Sequence, residues 1–400
     1  MSKASRSRRS PGADATTAGK HSPIEKYTKA YALNAPGRAI TASRNTIGRL
    51  ADYLSFYIAA TWKLWRLPRH DIVMALTTPP LIALIALLVG RLRGMRVVAL
   101  VQDVYPDVAV ALGALSSRGL ATRVFDFLNR TTLKGADRIV VLGDCMREKI
   151  LEKVGEGGAA RIDVIHNWAD GSQITPLKSE SNPFTDAQQL NDKFVVLFSG
   201  NLGLVNEFAT VLEAARLLNA ERHDVVFLFI GEGSRAHEIR EFTRQHNLRN
   251  VRMLPYQPRN TLRYSLASGH VSLVTLAPGL AGLSVPSKTY GILATGRPVL
   301  FVGDPQSDVA RLIKQHGCGA VVASGDSEAL VRTISGWASD RSSLAALGTA
   351  ARSLFESRFD RPHAVQAYLE AFNRCLSESR KHYPSPSQPA ASHHPEVNGR

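Results

Sequence analysis

The stretch IVMALTTPPLIALIALLVGRLRGMRVVALVQD, residues 72–103, decides the fold. Residues 72–90 are apolar and long enough to span a membrane, yet Pro79 and Pro80 stand near their middle. A proline pair breaks a helix interior but suits a turn and a helix start. The stretch therefore parses as a buried strand over 71–76, a turn at the prolines, a buried helix over 81–92 and a second strand in RVVALVQD. That is one βαβ unit rather than a span.

The same rhythm continues outward. Apolar strands are expected at 137–142, 161–165, 194–199, 225–230, 251–254, 270–276, 298–302 and 320–322, mostly separated by helical patterns. Such alternation gives α/β architecture with parallel sheets covered by helices on both faces. A chain of 400 residues exceeds what one core usually organises. The polar, aperiodic run from 170 to 192 separates two doubly wound, Rossmann-like domains facing a cleft. The expected partition is a basic arm and lead-in over 1–45, a first domain over 46–175, a linker over 176–192 and a second domain over 193–360. A C-terminal helix over 361–377 is expected to pack back toward the first domain, followed by a tail over 378–400.

The chain carries 49 Lys and Arg against 34 Asp and Glu, a formal charge of +15, which favours an acidic partner. The basic residues are dispersed and no aromatic-basic recognition motif accompanies them, so nucleic acid is not the expected partner. An anionic membrane surface and phosphorylated ligands fit better. Cys145, Cys318 and Cys375 are far apart with no histidine at ligand spacing, so neither a disulfide framework nor a zinc site is expected, and a reducing compartment follows. The first twenty residues hold three Arg, two Lys and one Asp without an apolar run, which is not a secretory signal.

In parallel sheets ligands bind beyond the carboxyl ends of strands. Three loops there stand out. GNLGLVNE follows one strand, with Gly200, Asn201 and Gly203 ahead of a helix expected from about Val205; GEGSRA follows another, with Gly231 and Gly233. Glycine pairs let a backbone approach a ligand closely, though they also serve plain tight turns. GEGSRA fits the looser dinucleotide pattern, but the next strand lacks the acidic residue that holds a ribose, which disfavours a nicotinamide enzyme. The third loop is GLSVPSKTYGILATGRPVL, residues 282–300, where Pro286, Ser287 and Lys288 open a short helix. A lysine at a helix start adds cation to cation unless an anion is to arrive. The expected anion is a phosphate; an ordinary cap at Ser287 with a solvated Lys288 is the bland alternative.

In the first domain, VQDVYPD places Asp103, Tyr105 and Asp107 after a strand end, where they can orient an acceptor hydroxyl, take its proton or simply shape the loop. Asn167 in HNWAD is a ligand contact or a turn residue, and His166 beside it suits packing or a hinge. Residues 46–65 form an amphipathic helix expected to pack against the sheet, while its aromatics and flanking cations also suit a membrane interface.

The segments DYLSFYIAATWKLWRLPRHDIVMALTTPPLI, VQDVYPDVAVALG, ADRIVVLGDCMREKI, VIHNWAD, FSGNLG, FIGEGS and VPSKTYGILATGRPV, in this order, resemble the GT-B type glycosyltransferases of family 4, in particular the branch building colanic acid and O-antigen. The resemblance runs from about Thr46 to about Asn373. It implies a nucleotide-diphosphate sugar donor, with UDP expected, held by the second domain. It further implies a lipid-linked or glycan acceptor at the first, retention of configuration, no metal, and action at the cytoplasmic face of the membrane. On this resemblance Lys288 is catalytic with Asp103 and Asp107. Gly200, Asn201, Gly203, Gly231, Gly233, Pro286, Ser287 and Lys288 hold the donor, and Tyr105 and Asn167 lie on the acceptor side. Many family members carry an Arg and a Lys where this chain has Asn201 and Asn206, and a glutamate pair where it has Leu283 and Gly291. The family's opening strand-helix-strand unit has no counterpart in residues 1–45, so the first domain is expected to be incomplete, to start upstream, or to be completed by another chain or a second copy. These departures also suit a non-catalytic scaffold or nucleotide-binding subunit.

Overall fold

The computed structural model describes residues 46–177 and 182–378, with side-chain surroundings from Leu54 onward. The expected basic arm, the tail from 379 and residues 178–181 of the expected linker lie outside the described residues. The chain divides at Leu64 into two compact units. Of the first, the description covers most of helix α1 (Thr46–Arg66), whose Leu54, Ile58 and Trp62 form an exposed row at helical spacing.

The second unit holds both sheets. The first sheet contains β1 (Ile72–Leu76), β2 (Arg96–Val101), β3 (Arg138–Val141) and β4 (Ile162–Val164), parallel and in sequence order. Helices α2 (Ile82–Leu92), α3 (Asp107–Ala111), α4 (Leu120–Gly135) and α5 (Asp144–Val154) lie in the connections. The proline pair does what the sequence reading asks of it: β1 ends at Leu76 and α2 begins at Ile82. No helix among the described residues is long and apolar enough to cross a membrane. Gly90 allows α2 to lie close on the sheet, since a Cβ there would meet Val73 at 2.9 Å and Val97 at 3.0 Å. Among the described residues β1 is an edge strand, with Met74 and Leu76 exposed on it.

The second sheet has six parallel strands in the order β10-β9-β8-β5-β6-β7. They are β5 (Phe194–Ser199), β6 (Val225–Ile230), β7 (Val251–Leu254), β8 (Val271–Thr275), β9 (Val299–Val302) and β10 (Gly319–Val322). Between and after them run α6 (Pro183–Ala187), α7 (Ala209–Glu221), α8 (Ala236–Gln245), α9 (Leu262–Ala267), α10 (Lys288–Ala294), α11 (Asp308–His316), α12 (Ser327–Ser339) and α13 (Ser343–Leu354). Strand β5 is apolar on both faces: Phe194, Val196 and Phe198 enter one core, Val195 and Leu197 another. The strand order reverses between β5 and β8, which creates the crevice where ligands of such sheets bind.

The two sheets share a core. Val98, Val104, Val108 and Met146 from the first half are buried in one cluster with Leu280, Leu283, Val285 and Phe301 from the second. Helix α14 (Arg361–Ser377) returns from the second half and buries Ala371 and Cys375 in that cluster. At its C-terminal end Arg374 joins a nearly buried pair, Arg138 with Asp163 at 2.7 Å, and Arg138 also meets Glu378 at 2.7 Å. Such a pair holds only while every partner is present, because a lone buried charge is costly.

Candidate functional site

Residues 282–288 run between the two halves and touch both. At one end, Val104 donates its N–H to Leu283 O at 2.9 Å, and Asp103 and Ser284 form an antiparallel bridge. At the other end, Lys288 enters the crevice at the switch point. Its Nζ lies 3.4 Å above the centre of the Phe198 ring and 3.3 Å from Asn206 Oδ1. Burial pulls the ammonium down from 10.5 to about 7. A ring face and one amide oxygen are weak compensation for a desolvated cation, so an anion placed against Nζ gains much of what burial has cost. Asn206 is itself positioned: its Oδ1 accepts from Thr275 and its Nδ2 donates to Asn201 O at 3.0 Å and Gly203 O at 3.1 Å.

The glycine loops serve this floor differently from the sequence expectation. Gly231 and Gly233 have φ of 140° and 157°, and Cβ atoms there would lie 2.1 Å from Gly200 O and 2.4 Å from Leu202 O. Their lack of side chains admits the neighbouring Gly200–Leu202 loop. Backbone bonds from Gly200 N to Ile230 O and from Leu202 N to Glu232 O fasten the same two loops, so those N–H groups are spent. Gly200, with φ of 139°, faces Lys288, whose Nζ would lie 3.6 Å from a Cβ at that position. The Asn201 amide lies between Gly203 and Gly233. The helix expected from Val205 begins instead at Ala209, which leaves Asn206 and Glu207 in a buried irregular turn.

Ser287 occupies the cap position of α10 but makes no side-chain cap bond, and Thr289 N returns to Pro286 O at 3.2 Å. The opening turn is thus partly closed on itself, and the side chain of Lys288, more than the helix start, faces the crevice.

On the first-domain side Thr77 holds the loop by accepting from the N–H groups of Gln102 and Asp103. Burial raises the Asp103 carboxyl, opposed by a hydrogen bond with Ser284. Asp107 goes elsewhere: its Oδ2 lies 2.6 Å from Nζ of the buried Lys153, which also holds Asp126 at 2.7 Å. Tyr105 stacks on Phe125 at 5.8 Å. Asn167 lines a separate concavity of about 110 Å3 with Arg358 and His363 at the chain crossover. His166 bonds Leu142 O at 3.0 Å and sits edge-on to Phe359, a packing role. The structure therefore brings Asp103, Ser284, Gly200, Asn201, Asn206 and Lys288 onto connected loops, and sets Asp107, Tyr105 and Asn167 in other contacts. Ser284 and Phe198 escaped the sequence reading, because their places depend on a cross-domain bridge and on a strand face.

Residues 182–354 match the family described as Glycosyl transferases group 1, and residues 24–168 match the Glycosyl transferase 4-like domain. WbjE of Pseudomonas aeruginosa, named as a glycosyltransferase, is 30% identical over 331 residues, covering 83% of this chain and 81% of that protein. This chain belongs to the family 4 glycosyltransferases. A second relative of this glycosyltransferase, WcaI of Escherichia coli K12, is named for colanic acid biosynthesis and is 29% identical over 307 residues, 72% of each chain. Among solved structures, Anabaena HepE in complex with UDP and glucose is similar with a TM-score of 0.66 at 15% identity. The overlap covers 82% of this glycosyltransferase and 83% of HepE, and WaaG, a glycosyltransferase of lipopolysaccharide biosynthesis, gives 0.61 at 16% identity over 83% and 84%. These likenesses agree with the two-sheet GT-B fold.

Proposed function

We propose that the protein moves a sugar, with retention, from a UDP-linked donor to a lipid-linked or glycan acceptor in surface polysaccharide biosynthesis. The observation that carries this reading is Lys288, half-buried at the switch point with the Phe198 ring and the Asn206 amide oxygen against its ammonium. When the anomeric bond breaks, charge gathers on the departing diphosphate, and a preorganised cation lowers the barrier by meeting that charge where it develops. Lys288 supplies the cation that Asn201 and Asn206 do not, and the reading needs no metal. Asp103, raised by burial and bridged from the acceptor half to Ser284, is the group assigned to orient the acceptor hydroxyl and receive its proton. The complexes of HepE with UDP and with UDP-glucose support the choice of nucleotide, the name of WbjE supports glycosyl transfer, and the name of WcaI supports the pathway class.

Exposed apolar side chains support a membrane-surface location. Leu88 and Leu92 on α2, and Leu120, Val124 and Phe127 on the adjacent α4, are exposed at helical spacing, and Arg118 and Arg123 flank the α4 row. An interface of that kind suits a lipid-linked acceptor. The test is transfer of radiolabel from UDP-sugars to a lipid extract by the full chain. Label in the organic phase, lost in Lys288→Ala, is the expected result; no transfer by folded protein that also fails to bind UDP refutes the assignment.

A further inference from the structure

The donor reading uses the carboxyl ends of the second sheet. At the opposite ends, where His270 precedes β8 and Arg297 precedes β9, lies a concavity of about 470 Å3, within the range of small-molecule sites. Its lining includes His270, Arg297, Arg341 and Arg352 and, among the described residues, no carboxylate.

The hydrogen bonds there do not balance. Arg352 is satisfied by Ile174 O, Ala294 O and Glu356. Arg297 donates through Nη2 to Leu177 O and Ala267 O, but its Nε is buried without a partner, and burial lowers its pKa. Arg341 and His270 present the sharper conflict. Val195 donates its N–H to His270 Nδ1 at 3.1 Å, which fixes the tautomer with hydrogen on Nε2. That Nε2–H stands 3.3 Å from Nη1 of Arg341, so two donors face each other with no acceptor between them. Burial first, then the charges of Arg341 and Arg297, hold the imidazole down at about 4, so it stays neutral in this tautomer at ordinary pH. Among the described residues, Asp224 is engaged by Arg222, Glu356 by Arg352 and Asp340 by Ser342.

We propose that this concavity binds the phosphate group of a small metabolite, at a site separate from the donor crevice. A tetrahedral oxyanion accepts from the imidazole Nε2–H and the guanidinium at once, and its multiple charge answers Arg297 and Arg341, which no lining acid among the described residues neutralises. The proposal does not depend on the donor assignment, because it uses none of the same residues.

Titrating the full chain with inorganic phosphate, at ionic strength held constant with chloride and in the presence of UDP, tests it. Saturable binding is expected, with one neutral histidine Nε2–H resonance shifting in step. Arg341→Ala, at an exposed position and so expected to keep its thermal stability without phosphate, should weaken binding at least tenfold. His270→Asn retains an acceptor for Val195 N–H and should also weaken it, whereas Lys288→Ala should not. Absence of saturable binding overturns the proposal, as does binding that survives Arg341→Ala but fails in Lys288→Ala. Phosphatidic acid vesicles whose binding depends on Arg341 while free phosphate does not bind would overturn the small-molecule assignment.

Discussion

If a diphosphate seats against Lys288, its arrival must be accompanied by a proton. In the free protein the ammonium has been pulled from 10.5 to about 7 by burial, with Phe198 and Asn206 as its neighbours. At pH 8 about 0.1 of the molecules carry the charge, so binding an anion that demands the charged form takes up about 0.9 proton; at pH 6 the uptake falls to about 0.1. Calorimetry of UDP binding at pH 8 in PIPES, HEPES and Tris reads this number as the slope of observed enthalpy against buffer ionisation enthalpy. Lys288→Met should bind UDP more weakly and lose the uptake at pH 8. The same displacement has a stability signature. Because the folded pKa lies below the unfolded one, the cost is fully present below about pH 7 and is relieved as pH rises toward 10.5, over which window the free protein gains at most about 5 kcal/mol. Lys288→Met should flatten that rise in urea melts. Undiminished UDP binding with no proton uptake at pH 8 would refute the reasoning, since Lys288 would then be charged beforehand or remote from the diphosphate.

Three further outcomes are expected. Asp103→Asn should lower the transfer rate about 100-fold or more while changing UDP affinity by no more than about twofold, and wild-type activity should fall as acid protonates the raised carboxyl, both read from initial rates and titrations. Gly231→Ala forces a Cβ to within 2.1 Å of Gly200 O at a φ of 140°, and urea denaturation should show a loss of about 2–4 kcal/mol. Arg138→Met leaves the nearly buried Asp163 with Arg374 alone, at a cost of about 3–5 kcal/mol by the same assay.

The strands were legible because burial on both faces of a parallel sheet writes itself as short apolar runs, as in FVVLFS and VVFLFI. Lys288 was legible from charge at a helix start, although the structure makes its side chain, not the helix end, the feature that faces the crevice. The glycines were found, but their packing of one loop on another was not, because a sequence cannot distinguish a backbone making room for a ligand from one making room for a neighbouring loop. Asp107 was misplaced for a related reason: its partner Lys153 lies on another helix 46 positions away, and nothing in VQDVYPD announces it. The exposed row on α4 went unnoticed because an outward apolar stripe has the same period as an inward one.

The bond from Val104 to Leu283, with the hydrophobic cluster around it, bears on how the molecule folds. Residues 179 positions apart in sequence must find each other before either sheet has a complete interior. Both halves should therefore melt together, with fluorescence and far-ultraviolet signals tracing one coincident transition. The two sheets are not interchangeable modules: a chain cut in the linker yields two pieces that each expose half of a shared interior, and grafting a foreign donor half requires redesigning residues 280–285 along with it.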